Sequence, residues 1–199
     1  MEHGKSMREP VFIDGKPYVE LYSYGLVNPM GHCAANALEH FKGRNDLMIL
    51  EIGILRGHNA EVLDKAFHPR LMVLVDPWDV KGETNDNNWA ETWYRVQGKP
   101  NIVVIKATSE TAARILNLNF DYVYLDGDHT GGDLSAGSED GGIRLDIRLW
   151  LPKVNKGGII SGHDYNFDNI KSEVHKVFGD RVNTSPYHPH GGMEWWVYV

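Results

Sequence analysis

The chain has 199 residues, 42% of them hydrophobic and 24% charged, a balance that fits one folded domain with a sizeable core and excludes a disordered chain. Its net charge of −7 works against the attraction that bulk nucleic acid or an anionic membrane requires, and no Lys/Arg cluster offsets it. The single cysteine, Cys33, excludes an intrachain disulfide and a thiolate metal cluster, and with neither a span-length apolar run nor a signal-like start, a cytoplasmic location is expected.

Residues 1–45 stand apart as an N-terminal extension or cap. They carry Pro10, Pro17 and Pro29, the tyrosines Tyr18, Tyr22 and Tyr24, and one helical segment, Met30–Phe41, closed by Gly43. From residue 46 to 199 apolar runs alternate with amphipathic segments. Leu47–Ile52 reads as a strand and Asn59–Phe67 as a helix; Leu71–Val75 is the second strand and Asn88–Gln97 its helix, with Trp89 and Trp93 on one face. Ile102–Ile105 and Ser109–Leu116 follow, then Tyr122–Leu125 and Arg144–Leu151, then Gly158–Ser161 and Asn169–Phe178. This βα alternation of short β-branched strands calls for an α/β doubly wound, three-layer sandwich around a mostly parallel sheet. The chain closes with Arg181–Thr184 and Glu194–Val199, two strands without a helix between them, so one runs antiparallel. Two loops, Trp78–Asn88 and Gly127–Gly142, are too long for simple connections. Both leave the carboxyl ends of strands, where open α/β sheets bind ligands.

The first strand runs into Glu51-Ile52-Gly53-Ile54-Leu55-Arg56-Gly57, and the second ends in Asp76. A glycine turn after strand one and a carboxylate at the tip of strand two is the layout of a nucleoside site, the carboxylate accepting ribose hydroxyls. A dinucleotide turn would carry a glycine where Leu55 stands, to admit a pyrophosphate. Glu51 would also repel phosphate and welcome a positive centre. S-adenosylmethionine, with an ammonium and a sulfonium and no phosphate, suits this pattern.

Strand four ends in Asp126-Gly127-Asp128-His129 and strand five in Ser161-Gly162-His163-Asp164-Tyr165. Neighbouring strands bring Asp126, His163 and Asp164 together, and two carboxylates with an imidazole are reasonable ligands for Mg²⁺ or Mn²⁺. The same residues could instead form an Asp-Gly-Asp turn and a helix cap.

Taken in order, Glu51-x-Gly53-x-x-x-Gly57, Val75-Asp76-Pro77-Trp78, Phe120–His129, Asp146-x-x-x-Trp150 and Gly157–Tyr165 resemble the class I S-adenosylmethionine-dependent methyltransferases. Within that class they are similar to the small group holding macrolide-sugar O-methyltransferases and cephalosporin-hydroxylase-like proteins. The likeness spans residues 47–178. It implies a seven-stranded sheet of order 3-2-1-4-5-7-6 with the last strand antiparallel. It also implies that Glu51, Gly53, Gly57 and Asn59 line the methionine part of the cofactor, Asp76 holds the ribose, Pro77 and Trp78 pack near the adenine, and Ser109 meets its edge. Asp126 would lie near both the cofactor's amino group and the metal. In metal-dependent relatives an acidic or amide pair follows strand five; this chain departs from that with His163-Asp164, an imidazole in the first slot, where His163 is ligand, base or structural residue. Catechol-type relatives carry a lysine base three positions after the strand-four acid, where this chain has His129, whose imidazole suits general-base work near neutral pH.

The expected activity is transfer of methyl to a hydroxyl of a small molecule or sugar, with Asp126 and His129 at the reacting centre. No nucleic-acid or membrane partner is expected, and residues 1–45 could cover a neighbouring copy's site in a homo-oligomer as readily as their own. A nicotinamide oxidoreductase, a non-catalytic cofactor-binding module and a metal-dependent hydrolase are the rival readings. Asp146 and Trp150 read as packing residues, and His58 as structural or brushing the cofactor. Trp89, Trp93, Tyr94, His188, His190 and Trp195 lie where they could wall an acceptor, although core packing is the plainer role for Trp195 and Trp196.

Overall fold

A computed structural model describes residues 11–13, 16–20, 27–79, 85–128, 142–187 and 192–199. In chain order the elements are β1 (Val11–Ile13), β2 (Lys16–Glu20), β3 (Val27–Pro29), α1 (His32–His40), β4 (Met48–Ile52), α2 (His58–Phe67), β5 (Leu71–Asp76) and α3 (Asn85–Val96). They continue with β6 (Ile102–Lys106), α4 (Ser109–Ile115), β7 (Phe120–Leu125), α5 (Gly142–Trp150), β8 (Val154–Gly162), α6 (Asp168–Phe178), β9 (Asn183–Thr184) and β10 (Trp195–Tyr198).

Strands β4, β5 and β7 are buried along nearly their whole length, as expected of strands covered on both faces. They form the centre of a seven-stranded sheet in the order β6-β5-β4-β7-β8-β10-β9. All neighbours pair in parallel except β10, which is antiparallel to both β8 and β9. Numbered within the sheet, this is the expected order 3-2-1-4-5-7-6.

Alternation along each strand sends side chains into two separate cores. Ile49, Met72, Tyr122, Tyr124 and Ile159 face the helices α1, α2 and α3. Leu50, Val73, Val123 and Ile160 face α4, α5 and α6. Trp195 and Trp196 fall in opposite layers, both buried, so each serves as core. Trp150 is fully buried, meets the Phe120 ring edge-on at 6.3 Å and donates its indole N–H to Ser109 Oγ at 2.8 Å. Asp146, one turn earlier, accepts from the same hydroxyl, so α5 is fastened to the first turn of α4.

Three details depart from the sequence reading. Strand β8 starts at Val154 rather than Gly158, because Gly157 and Gly158 lie within it; a Cβ at Gly158 would stand 2.7 Å from the Asp121 carbonyl. The pairing slips between Phe120 and Tyr122 to absorb this irregularity. A 3₁₀ turn at Gly179–Arg181 shortens β9 to two residues. The N-terminal region holds a three-stranded antiparallel sheet in addition to the expected helix. Its prolines argue against strands, yet Pro17 pairs only with Phe12 on one side, and Pro29 lies in an edge strand.

No helix among the described residues is long and apolar enough to cross a membrane. Replacing Trp150 by alanine should cost about 4 kcal/mol, from lost burial and an incompletely collapsed cavity. A urea titration checks it, and Trp150→Phe should recover most of the loss.

Candidate active site

Strand β4 ends against the tip of β7. Gly53 has φ +82°, and any Cβ there would overlap the Asp126 carbonyl, so this position admits only glycine. Its N–H donates to Val75 O at 2.9 Å, and Asp126 N–H donates to Ile52 O at 2.8 Å, bringing the tips of β5, β4 and β7 together. Gly57, at φ +75°, opens α2, where a side chain would press on Thr92 at 3.3 Å. Between the glycines Leu55 also adopts a left-handed backbone, φ +52°. That conformation costs a non-glycine residue roughly 1–2 kcal/mol, so the surroundings must hold it.

Asp76 supplies much of that hold. Its Oδ2 accepts the N–H groups of Ile54 at 2.7 Å and Leu55 at 2.9 Å, and its Oδ1 accepts Trp78 N–H at 2.6 Å. An ionised carboxylate offers about four acceptor sites. One therefore remains for a ligand, on Oδ1.

Glu51 lies one row below in the sheet, 1% exposed. Its Oε1 accepts from Asn59 Nδ2 at 3.1 Å, while Oε2 is buried with no hydrogen-bond partner among the described residues. Burial pushes its pKa up to about 8, Asn59 opposes the shift, and the nearby Asp126 and Asp76 charges add to it. An orphaned buried carboxylate oxygen is costly unless a cation completes it. The ammonium of an amino-acid moiety fits that need, with the glycine turn beside it.

The other expected cofactor residues divide. Trp78 is buried, and its indole N–H donates to Leu55 O at 2.8 Å, so it pins the turn as well as flanking the pocket; Pro77 beside it is half-buried. The Ser109 hydroxyl donates to Asp146 and accepts from Trp150. Asp146 is nearly inaccessible, and burial lifts its pKa to about 6 against the Ser109 bond, with Asp128 adding to the rise. His58 Nε2 meets Arg95 Nη2 at 2.8 Å, a contact in keeping with a structural role.

At the tips of β7 and β8, Asp126, His163 and Asp164 bring donor atoms within 4.8 Å of one another. His163 Nδ1 stands 3.0 Å from Asp164 Oδ1 and 3.9 Å from Asp126 Oδ1. Ligands about 2.1 Å from a Mg²⁺ ion lie about 3 Å apart when adjacent in an octahedron; the His163–Asp164 spacing meets this, the His163–Asp126 spacing is wider, and the donor chemistry suits such an ion. All three remain partly open to solvent, leaving room for further oxygen ligands. Asp164 has φ +59°, a strained backbone of the kind concentrated at functional sites. Gly192 closes over the group: a Cβ there would lie 3.4 Å from His163 Cε1 and 3.6 Å from Asp164 Oδ1. His129, expected to act as base, lies outside the described residues, as do His188 and His190.

Two features escaped the sequence reading. Glu194, just before β10, accepts Cys33 N–H and the Tyr124 hydroxyl, each at 3.1 Å, and leaves no space for a side chain at Gly31. The start of α1 is thereby fastened to the sheet end that carries the triad. Helix α3 also grips the glycine turn through Asn88, Thr92 and Arg95. Their i, i+4, i+7 spacing was a readable signal, obscured by the aromatic face formed by Trp89 and Trp93.

The sequence profile of the methyltransferase domain family matches residues 50–165, more than half the chain and all of the glycine turn and triad. The chain belongs to the S-adenosylmethionine-dependent methyltransferase family. No curated protein matches it in sequence. The methyltransferase fold aligns with an O-methyltransferase of Streptomyces achromogenes involved in tomaymycin synthesis, solved with S-adenosylmethionine, at TM-score 0.59 and 14% identity over 84% of this chain and 78% of that one. An rRNA methylase of Streptococcus thermophilus aligns at TM-score 0.58 and 11% identity, covering 83% and 90%. An O-methyltransferase of Bacillus cereus in complex with S-adenosylhomocysteine aligns at 0.54 and 14%, covering 84% and 79%.

Glu51 gives this methyltransferase a pH signature. Its folded pKa, about 8, lies above the 4.5 of an unperturbed glutamate, so the folded state binds the proton more tightly. The resulting stabilisation is full below about pH 4.5 and is lost as pH rises through about 8. Thermal melts of the ligand-free chain should decline across that window, and Glu51→Gln should flatten the upper part. A smaller decline between about pH 4 and 6 should persist in that variant, from Asp146.

Proposed function

We propose that this methyltransferase moves a methyl group from S-adenosylmethionine to a hydroxyl of a small molecule or sugar, at a site assisted by a divalent metal, Mg²⁺ or Mn²⁺. The observation that carries this reading is the convergence of Asp126, His163 and Asp164 beside the Gly53–Asp126 contact, so that a cation site and the cofactor turn share one edge of the sheet. The motifs' likeness to macrolide-sugar O-methyltransferases and the O-methyltransferases among the fold neighbours support oxygen as the acceptor atom. The net charge of −7 disfavours the RNA acceptor that the rRNA methylase neighbour would suggest.

In this reading Glu51 receives the cofactor's ammonium on its orphaned oxygen, Asn59 and the turn from Gly53 to Gly57 surround the methionine part, and Asp76 takes a ribose hydroxyl on its remaining acceptor site. Pro77, Trp78 and Ser109 flank the adenine. Asp126, His163 and Asp164 would hold the cation, which when bound lowers the pKa of a hydroxyl it touches. His129 accepts the hydroxyl proton as the oxygen attacks in line with the departing thioether. Most of the acceleration comes from holding two reactants in line, because the leaving group is neutral and needs little help. Of the N-terminal extension, helix α1 is bonded to the chain's own domain through Cys33 and Glu194, which supports a place for it beside its own site rather than a neighbouring copy's.

The test uses a panel of hydroxylated small molecules and sugars with methyl-labelled S-adenosylmethionine. Asp164→Ala should bind S-adenosylhomocysteine as the natural chain does and lose at least a hundredfold in turnover. Full activity of that variant in the presence of chelator would defeat the metal assignment. Asp76→Ala should weaken S-adenosylhomocysteine binding and also destabilise the fold by about 3 kcal/mol, since it strands three backbone N–H groups.

A further inference from the structure

Helix α3 touches the glycine turn through polar groups rather than through apolar packing alone. Thr92 Oγ lies 3.0 Å from Leu55 O and 3.0 Å from Asn88 O, its own helix's carbonyl one turn back. The hydroxyl's single proton is shared between these two carbonyls, and it joins the Trp78 indole N–H on the Leu55 oxygen. Arg95 Nε donates to Arg56 O at 3.0 Å, and Asn88 Oδ1 accepts Arg56 Nε at 3.0 Å. The Arg95 guanidinium is itself fixed. Its side chain is 2% exposed, with Nη1 on Glu61 at 2.8 Å and Nη2 on Glu91 at 2.7 Å. Gly57 has no side chain and lets Thr92 and Arg95 approach the turn.

Two carbonyls that a free turn would give to water are therefore claimed by one helix, and Leu55 is held left-handed from both sides. Asp76 takes its N–H, while Thr92 and Trp78 take its C=O. Where a binding-competent conformation is populated to a fraction f, the apparent dissociation constant rises by 1/f. A strained leucine turn without its clamp has a low f.

We infer that Thr92 and Arg95 of α3 are positioning residues for the S-adenosyl cofactor, setting its affinity by holding the Leu55-Arg56 backbone in the binding conformation without touching the ligand. This rests on the cofactor assignment made above.

Calorimetric titration of the full chain with S-adenosylhomocysteine tests it. Thr92→Val keeps the shape, removes the hydroxyl and should weaken binding about three- to tenfold, the worth of one neutral hydrogen bond. Thr92→Ser restores the hydroxyl and should recover most of the affinity, a rescue that loss of packing alone would not give. Thr92→Val binding as tightly as the natural chain, or Thr92→Ser binding as weakly as Thr92→Val, overturns the inference. Hydrogen exchange on the natural chain needs no variant: the Ile54 and Leu55 amides should be protected before ligand is added, and exchange at an unstructured rate until then would overturn it too. Failure of the natural chain to bind at all, with those amides protected, would instead strike the cofactor assignment and leave the clamp as a structural device.

Discussion

A single buried oxygen sets the terms for this pocket. Glu51 Oε2 lies inside the sheet edge with no hydrogen-bond partner among the described residues, close enough to the Asp126 and Asp76 charges for both to disfavour its ionisation. The fold would be more stable with an apolar residue there, because an unpaired buried polar group costs about 1–3 kcal/mol. Retaining an acid makes physical sense where a cationic ligand completes it. Gly53 must then be glycine to let β4 turn under Asp126, and Asp76 must hold the turn in place, so the neighbouring residues are organised around this one carboxylate.

The same geometry links the glycine turn to the Asp126, His163 and Asp164 group. Asp126 belongs to both, its backbone locked onto β4 and its carboxylate turned toward His163. The cofactor and cation sites of the proposed reaction would thus be neighbours on adjoining strand tips. On the far side Glu194 fastens α1, and Gly192 crowds His163 and Asp164. A transfer reaction that depends on alignment gains from such rigidity.

The sheet was legible because its strands are short, β-branched and separated by amphipathic helices, a pattern with one economical solution. Glycines and acids at strand ends marked the candidate site, since strand tips are where an open sheet leaves space for ligands. Other features were harder to read. Gly157 hid the start of β8: it sits inside that strand at φ +79°, a conformation that favours glycine, while at Gly158 crowding by the Asp121 carbonyl selects it. Prolines hid the small N-terminal sheet, as they do wherever a strand needs a hydrogen-bond partner on one side only. Asp76 and Trp78 were read by what they would offer a ligand. Their bonds to the Ile54–Leu55 turn depend on a close approach between strand tips that spacing along the chain does not encode.

Titration of the natural chain with S-adenosylhomocysteine at pH 7, in two buffers of different ionisation heat, reaches the central claim most directly. A protonated Glu51 that must ionise to receive an ammonium releases close to one proton on binding. The account therefore requires binding heats that differ between the buffers by nearly one ionisation enthalpy, and no such difference for Glu51→Gln. Equal heats in both buffers, or heat with a pyridine dinucleotide and none with the thioether, would contradict it.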